Sequence, residues 1–234
     1  MVDKVIEISS LVKSDEKPKG YKGIAMEGPI ARWYAKNTSV NMNEYKGWAA
    51  LVAKNTVKGD RVLEVAPGPG YLSIELAKTG DYKVTGLDIS RTFVEIEQAN
   101  ARKAGVSAEF RQGDAAYMPF DDGTFDFVIC TAAFKNFTQP VKALAEMNRV
   151  LKVNGKALII DLRRDANIHE INDYVKNMGM SPINALFTKF TFRFMLLRSA
   201  HTIDEMKTFA SSAGFKNIEA RKSPIGFELW LEKS

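Results

Sequence analysis

Two glycines, Gly68 and Gly70, follow the apolar run Val62-Leu63-Glu64-Val65 and precede a helical pattern that begins at Tyr71. At the carboxyl end of a buried parallel strand, such a turn is where an open α/β sheet binds ligands. Neither glycine has a Cβ, so a ligand can approach the backbone closely there. The same pair would also serve a tight strand-to-helix turn that asks for glycine on geometric grounds alone. Asp88, twenty-four residues after Glu64, ends a second strand-like run, Thr85-Gly86-Leu87-Asp88. A carboxylate in that place can accept hydrogen bonds from both hydroxyls of a ribose, and the spacing is that of a nucleoside-binding βαβ unit. Alone, Asp88 could equally cap the helix starting near Arg91; its coupling to the glycine turn favours the ribose.

Phosphate binding is disfavoured. The run Gly68-Pro69-Gly70-Tyr71-Leu72-Ser73 puts serine where a pyrophosphate fingerprint needs glycine or alanine, and no Gly-x-x-x-x-Gly-Lys-Ser/Thr loop occurs. Cys130 is the single cysteine, and His169 and His201 lie far apart, so neither an internal disulfide nor a metal site is expected.

The elements that must hold these residues can be read from periodicity. Strands are expected at Arg61–Ala66, Lys83–Asp88, Ala108–Gln112, Phe125–Thr131 and Lys156–Asp161. Helices near Tyr71–Lys78, Arg91–Ala104 and Val141–Leu151 alternate with them, the pattern of crossovers in a mostly parallel sheet. Two helices are expected before the first strand, with Asn43 a possible cap for the second. A last helix is expected from Thr202 to Ala213, stopped by Gly214, followed by a hairpin of strands at Lys216–Lys222 and Gly226–Glu232. Residues 1–20 are expected to form a flexible N-terminal segment and residues 21–234 a single domain, with an insertion over 163–200.

With 234 residues, 45% hydrophobic and 26% charged, the chain has the size and mix of one ordinary globular α/β domain. No apolar run approaches the roughly 20 residues that span a bilayer, so a cytoplasmic protein without membrane insertion is expected. The net charge of +5 is unevenly placed: residues 61–130 carry −4 and residues 131–200 carry +6. The chemistry-bearing turns thus lie in the acidic segment.

In order and spacing, these motifs resemble the class I S-adenosylmethionine-dependent methyltransferase family from about Tyr45 to Lys233. The first motif is similar to Glu64-Val65-Ala66-Pro67-Gly68-Pro69-Gly70, with Ala66 where many members have the first glycine. Further matches are Gly86-Leu87-Asp88-Ile89-Ser90, then Gln112-Gly113-Asp114-Ala115 with Met118-Pro119-Phe120, then Phe125-Asp126-Phe127-Val128-Ile129-Cys130. The stretch from Glu146 to Lys156 resembles the family's helix, turn and fifth strand.

The resemblance implies an α/β fold with a doubly wound, Rossmann-like seven-stranded sheet. That sheet would be mostly parallel with an antiparallel terminal strand, joined by N-terminal helices and a lid insertion before the last helix. It also implies S-adenosylmethionine as cofactor, leaving as S-adenosylhomocysteine. Its expected wall comprises Glu64, Ala66, Pro67, Gly68, Gly70, Asp88, Ile89, Asp114, Ala115 and Thr131. Glu64 would lie near the methionine amino group or organise its loop, Asp88 on the ribose, and Asp114 on the adenine amino group. The chain departs from many small-molecule members after the fourth strand, where Thr131-Ala132-Ala133-Phe134-Lys135-Asn136-Phe137 offers no histidine pair.

Methyl transfer from a sulfonium is an in-line displacement with a neutral leaving group, so alignment does most of the work. A base is needed only for an acceptor that arrives protonated and weakly nucleophilic, such as a phenol or an acidic carbon. Tyr34 and Lys135 are the candidate catalytic residues; Trp33, Tyr34, Phe134, Arg163 and Phe192 are the candidate acceptor contacts. Trp33 would also be buried as part of an amphipathic helix. The aromatic and basic insertion suggests a lid over a hydrophobic acceptor with an acidic or oxygen-rich group, although such side chains also pack lids onto sheets. Cys130 sits within an apolar strand and is read as a buried structural thiol rather than a nucleophile.

The leading expectation is methylation of a small hydrophobic molecule. An RNA methyltransferase is the alternative from the basic balance, against which stands the lack of an Asn/Asp-Pro-Pro-Tyr tetrapeptide or an RNA-binding module. A cofactor-binding regulator without turnover is the third reading. Monomer and homodimer are both compatible with the sequence.

Overall fold

The computed structural model describes residues 20–22, 26–38, 42–177, 186, 189 and 196–234. Seven strands form one sheet: β1 (Arg61–Val65), β2 (Lys83–Asp88), β3 (Glu109–Gln112), β4 (Phe125–Thr131), β5 (Leu151–Leu162), β6 (Asn217–Lys222) and β7 (Gly226–Glu232). Their order is β3-β2-β1-β4-β5-β7-β6. The first five pair in parallel, and β7 runs antiparallel to both β5 and β6. This is the expected doubly wound sheet with an antiparallel terminal strand.

The helices are α1 (Gly28–Thr38), α2 (Met42–Ala53), α3 (Tyr71–Ala77), α4 (Arg91–Ala104), α5 (Pro140–Val150), α6 (Ile168–Asn177) and α7 (Ile203–Ser212). Successive strand residues point to opposite faces, and both faces are covered. Leu63, Val65, Val128, Cys130 and Ile159 pack against Leu144 and Met147 of α5 and Met206 and Ala210 of α7. Val62, Phe127, Ile129 and Leu158 pack against Val52 of α2 and Leu72 and Leu76 of α3.

Local chemistry sets the helix ends beside the site. The Ser90 hydroxyl accepts from the Phe93 N–H at the start of α4, and Gly105 ends that helix with φ 68°. Thr202 caps α7 as expected, in a full capping box with Glu205. Asn43, expected as a cap, instead lies inside α2, which begins at Met42. Strand β5 starts at Leu151 rather than Lys156, because Leu151 pairs with Phe125 across a register shift.

The N-terminal part is tied onto this frame. The Glu27 carboxylate accepts from the Arg91 and Thr92 N–H groups and the Thr92 hydroxyl, hooking α1 to the start of α4. The Tyr71 hydroxyl donates to the Ala35 carbonyl at 2.9 Å, which fixes α1 against α3. Tyr21 bridges to Phe137, Lys22 N–H donates to the Asn136 carbonyl, and Thr138 N–H donates to that of Gly20. Residues 1–19 of the expected flexible segment, and most of the second half of the 163–200 insertion including Phe192, lie outside the described residues.

Candidate active site

Strand order reverses between β1 and β4, and the connections leaving their carboxyl ends diverge to opposite faces of the sheet. A crevice must open there. The structure holds a cavity of about 680 Å³ at that point, walled by the residues that follow β1, β2, β3 and β4 and by the end of β5. Ala66, Pro67, Gly68, Asp88, Ile89, Asp114, Ala115 and Thr131 all line it. Eight of the ten expected cofactor residues thus surround one space, though they come from four separate loops.

The other two expected cofactor residues turn away. Glu64 is buried behind the turn, where its carboxylate accepts from the Ser73 N–H at 2.9 Å and the Ser73 hydroxyl at 2.6 Å. It organises the loop by tying the first turn of α3 to β1. Burial pushes its pKa up to about 7, against the lowering effect of the Ser73 bonds. Gly70 has φ 76° at the N-cap of α3, and a Cβ there would meet Glu97 Cγ at 3.1 Å. Backbone conformation and close packing on α4 require that glycine, and it is not among the residues that line the cavity.

The front of the turn is open. Gly68 has φ 59°, and among the described residues a Cβ added there would find only Tyr34, at 3.9 Å. Its N–H donates to Asp88 Oδ2 at 3.1 Å, while Asp88 Oδ1 accepts from Ser90 N–H at 2.8 Å. Asp88 therefore braces two loops while facing the cavity. Burial raises its pKa to about 7, offset in part by those N–H bonds. Ala66 and Ala132 both take the left-handed conformation, at φ 56°, immediately after β1 and β4. Non-glycine residues rarely do so, and such strain concentrates at functional sites. Asp114 accepts from Ala116 N–H, and Gly20 lies so close to its carboxylate that a Cβ would sit 2.6 Å from it.

These features fit a nucleoside cofactor carrying a sulfonium. Gly68 provides an uncovered backbone surface, Asp88 a buried carboxylate with capacity for further donors, and Asp114 a second carboxylate after the adjacent strand.

Tyr34, Tyr45, Trp48, Tyr174, Ile225 and Phe227 give the same cavity an aromatic and apolar wall. Within it lies a buried ion pair. Lys135 N–H donates to Asp161 Oδ2 at 2.8 Å, and Lys135 Nζ donates to Asp161 Oδ1 at 3.1 Å and to the Ala132 carbonyl. Asp161 Oδ1 also accepts from Leu162 N–H. Tyr34 has its hydroxyl pKa raised by burial, then by Glu44, so it stays a neutral donor. The Tyr21 hydroxyl is pushed up to about 12, chiefly by burial.

The remaining expected acceptor contacts divide. Trp33 lines the cavity but is 67% exposed, so it stands on the rim. Phe134 is turned into the core against Phe137 and His201, because the helical turn Phe134–Asn136 directs Lys135 and Phe134 apart. Arg163 is fully buried away from the cavity, paired with Asp165 and Glu170 and donating to the Ser223 and Pro224 carbonyls. It clamps the end of β5 to α6 and to the β6–β7 turn. Cys130 is buried in β4, where burial pushes its thiol pKa well up.

Asp161 and Tyr21 line the candidate site but were not among the residues that the sequence singled out. For Asp161 a signal existed: an acid closing the apolar run Ala157-Leu158-Ile159-Ile160, as Asp88 closes its own. Tyr21 carried none, since its place depends on pairing with Phe137.

Comparison with known proteins agrees with this geometry. A family model described as "Methyltransferase domain" matches residues 63–159. Demethylmenaquinone methyltransferase of Chlorobaculum tepidum is 34% identical over 196 residues, covering 80% of this chain and 78% of that protein. The ubiquinone/menaquinone biosynthesis C-methyltransferase UbiE of Bdellovibrio bacteriovorus is 32% identical over 140 residues, 58% of this chain and 60% of that one. Among solved structures, a putative S-adenosylmethionine-dependent methyltransferase from Methanococcus maripaludis superposes with TM-score 0.73 at 20% identity, covering 91% of this chain and 96% of that one. The last likeness bears on the fold.

Proposed function

The chain belongs to the class I S-adenosylmethionine-dependent methyltransferase family, and from that premise we propose that it methylates a ring carbon of a reduced quinone, an aromatic diol with a lipophilic body. The observation that carries this reading is the Lys135–Asp161 pair, a buried cation in an aromatic pocket facing the cofactor loops. The likeness to enzymes named for demethylmenaquinone and for C-methylation supports it.

S-adenosylmethionine, when bound, supplies an electrophilic methyl on a sulfur that leaves as a neutral thioether. Asp88 would accept hydrogen bonds from the ribose hydroxyls, the Gly68 backbone would underlie the methionine portion, and Asp114 would meet the adenine. The acidic character of residues 61–130 suits a sulfonium cation. Tyr34, which packs edge-on against Phe93 with ring centroids 5.9 Å apart, belongs to the aromatic wall of the same cavity.

An aromatic carbon is a poor nucleophile until a neighbouring hydroxyl loses its proton. Lys135 holds the resulting phenolate by charge and hydrogen bonding in a site from which the aromatic wall excludes water. Having lost its hydroxyl proton to bulk water on entry, the ring passes electron density to the adjacent carbon, which forms the new carbon–carbon bond as the methyl–sulfur bond breaks, and that carbon's own proton passes to the ring oxygen to restore the aromatic diol. Asp161 has both oxygens engaged by Lys135 and by Leu162 N–H, so it orients the ammonium rather than taking a proton. The chain needs no histidine base from the segment after β4, because the cation lowers the energy of the phenolate directly.

The test is turnover on a short-chain naphthalenediol, kept reduced, by the intact protein and by Lys135→Met. Lys135-dependent methylation of the diol is the expected result. Equal cofactor binding with no diol turnover, or salt-sensitive methylation of RNA, would overturn the acceptor assignment.

A further inference from the structure

The rim of the cavity exposes apolar side chains on a helix that also carries basic ones. Ile30 and Trp33 both line the cavity, yet are 44% and 67% exposed. Three residues apart on α1, they share one helix face. Leu196, on the same cavity, is 37% exposed. Helix α1 contains no acidic residue, and Arg32 and Lys36 are both exposed beside the apolar pair. Its other face is committed to the protein, with Ala31 and Ala35 buried and the Ala35 carbonyl held by Tyr71.

Volume gives this rim a purpose. A cavity of about 680 Å³ is the size of a single small-molecule site. A nucleoside cofactor and a two-ring head fill it, so any long hydrocarbon tail on the acceptor must leave through the mouth. At the mouth stand Ile30, Trp33 and Leu196.

We propose that the Ile30–Trp33 face of α1 docks on an anionic lipid bilayer, with Arg32 and Lys36 meeting the headgroups and the cavity opening onto the hydrocarbon. An indole with basic neighbours is the composition that settles at a membrane interface. No helix among the described residues is long and apolar enough to cross a membrane, so the contact is peripheral. Acceptor would then enter sideways from the lipid without passing through water. The use of the surface rests on the lipophilic-acceptor reading, but docking itself is measured with no acceptor present, so the two can fail separately.

The experiment is co-sedimentation of the full chain, saturated with S-adenosylhomocysteine, with vesicles of phosphatidylcholine alone or mixed with phosphatidylglycerol. Tryptophan emission is followed in parallel. Trp48 is partly covered and Trp230 is buried, so a vesicle-induced blue shift reports chiefly on Trp33. Binding to the anionic vesicles that weakens with salt is expected, with the blue shift lost and partition lowered about tenfold in Trp33→Gln. Arg32→Gln with Lys36→Gln should lower partition roughly fivefold per charge removed. Circular dichroism and cofactor titration confirm that each variant is folded. Equal partition onto neutral and anionic vesicles, or wild-type binding by folded Trp33→Gln, would overturn the proposal. So would an emission already blue-shifted without vesicles that reverts on dilution, which assigns the face to a second copy of the chain.

Discussion

Lys135 and Asp161 meet twice, the N–H and the Nζ of one lysine donating to the two oxygens of one carboxylate at 2.8 and 3.1 Å. One bond fixes the backbone after β4 to the end of β5; the other aims the ammonium. Both residues are nine-tenths buried or more, so neither exchanges partners with water freely.

Lys135→Met should therefore lower kcat on a diol acceptor by about 10² to 10³, the loss typical of a removed donor to a developing anion. Cofactor affinity should be unchanged. Asp161→Asn keeps the shape but loosens the ammonium, and a smaller fall in kcat with a shifted pH profile is expected. Steady-state kinetics and cofactor calorimetry on the same preparations check both.

Asp88→Ala should weaken S-adenosylmethionine binding by about 1.5–3 kcal/mol through lost charge-assisted hydrogen bonds. Its pKa near 7 adds a pH signature. Only the ionised carboxylate accepts from both ribose hydroxyls, so affinity should rise with pH up to about 7 and then level off. The stability effect has the opposite sign. The folded protein holds this proton more tightly than the unfolded chain, whose carboxyl titrates near about 4. Ionising Asp88 thus costs stability as pH climbs from about 4 to about 7. Calorimetric titrations and thermal melts across that window should show both trends, and Asp88→Asn should flatten both.

The glycine turn yields a pair of opposite outcomes. Gly68→Val places a β-branched side chain at φ 59° in front of Tyr34 and should abolish cofactor binding, with some loss of stability. Ala66→Gly relieves the left-handed alanine after β1 and should stabilise the protein by up to about 1 kcal/mol without weakening binding. Denaturant melts and titrations separate the two effects.

Arg163→Ala should cost more than about 2 kcal/mol, because it empties a fully buried site and leaves the Ser223 and Pro224 carbonyls without their donor. Arg163→Met fills much of that volume and should recover part of the loss. KM for the acceptor should stay at the wild-type value in the folded fraction of either variant. A raised acceptor KM with intact stability would return Arg163 to the site.

The cofactor half was legible in the sequence because its signals are local. Gly68 follows β1 and Asp88 closes β2 twenty residues later, so the spacing within one βαβ unit put the two in the same place. The acceptor half is assembled by tertiary contacts. Phe134 and Lys135 are neighbours in one short turn, and only packing decides that the first enters the core and the second faces the cavity. Arg163 reads in the sequence as an acceptor contact, and only Glu170 and two carbonyls from other elements draw it into the interior. Strand β5 was read short because Leu151 pairs through a register shift, which leaves no periodic trace.

The most direct measurement is the position of an isotopically labelled methyl group transferred from S-adenosylmethionine to a short-chain naphthalenediol, read by nuclear magnetic resonance of the product. A label bonded to ring carbon, formed by the intact protein and lost in Lys135→Met, is expected of ring methylation assisted by Lys135. A label on oxygen, or ring methylation that persists at full rate without Lys135, would contradict it.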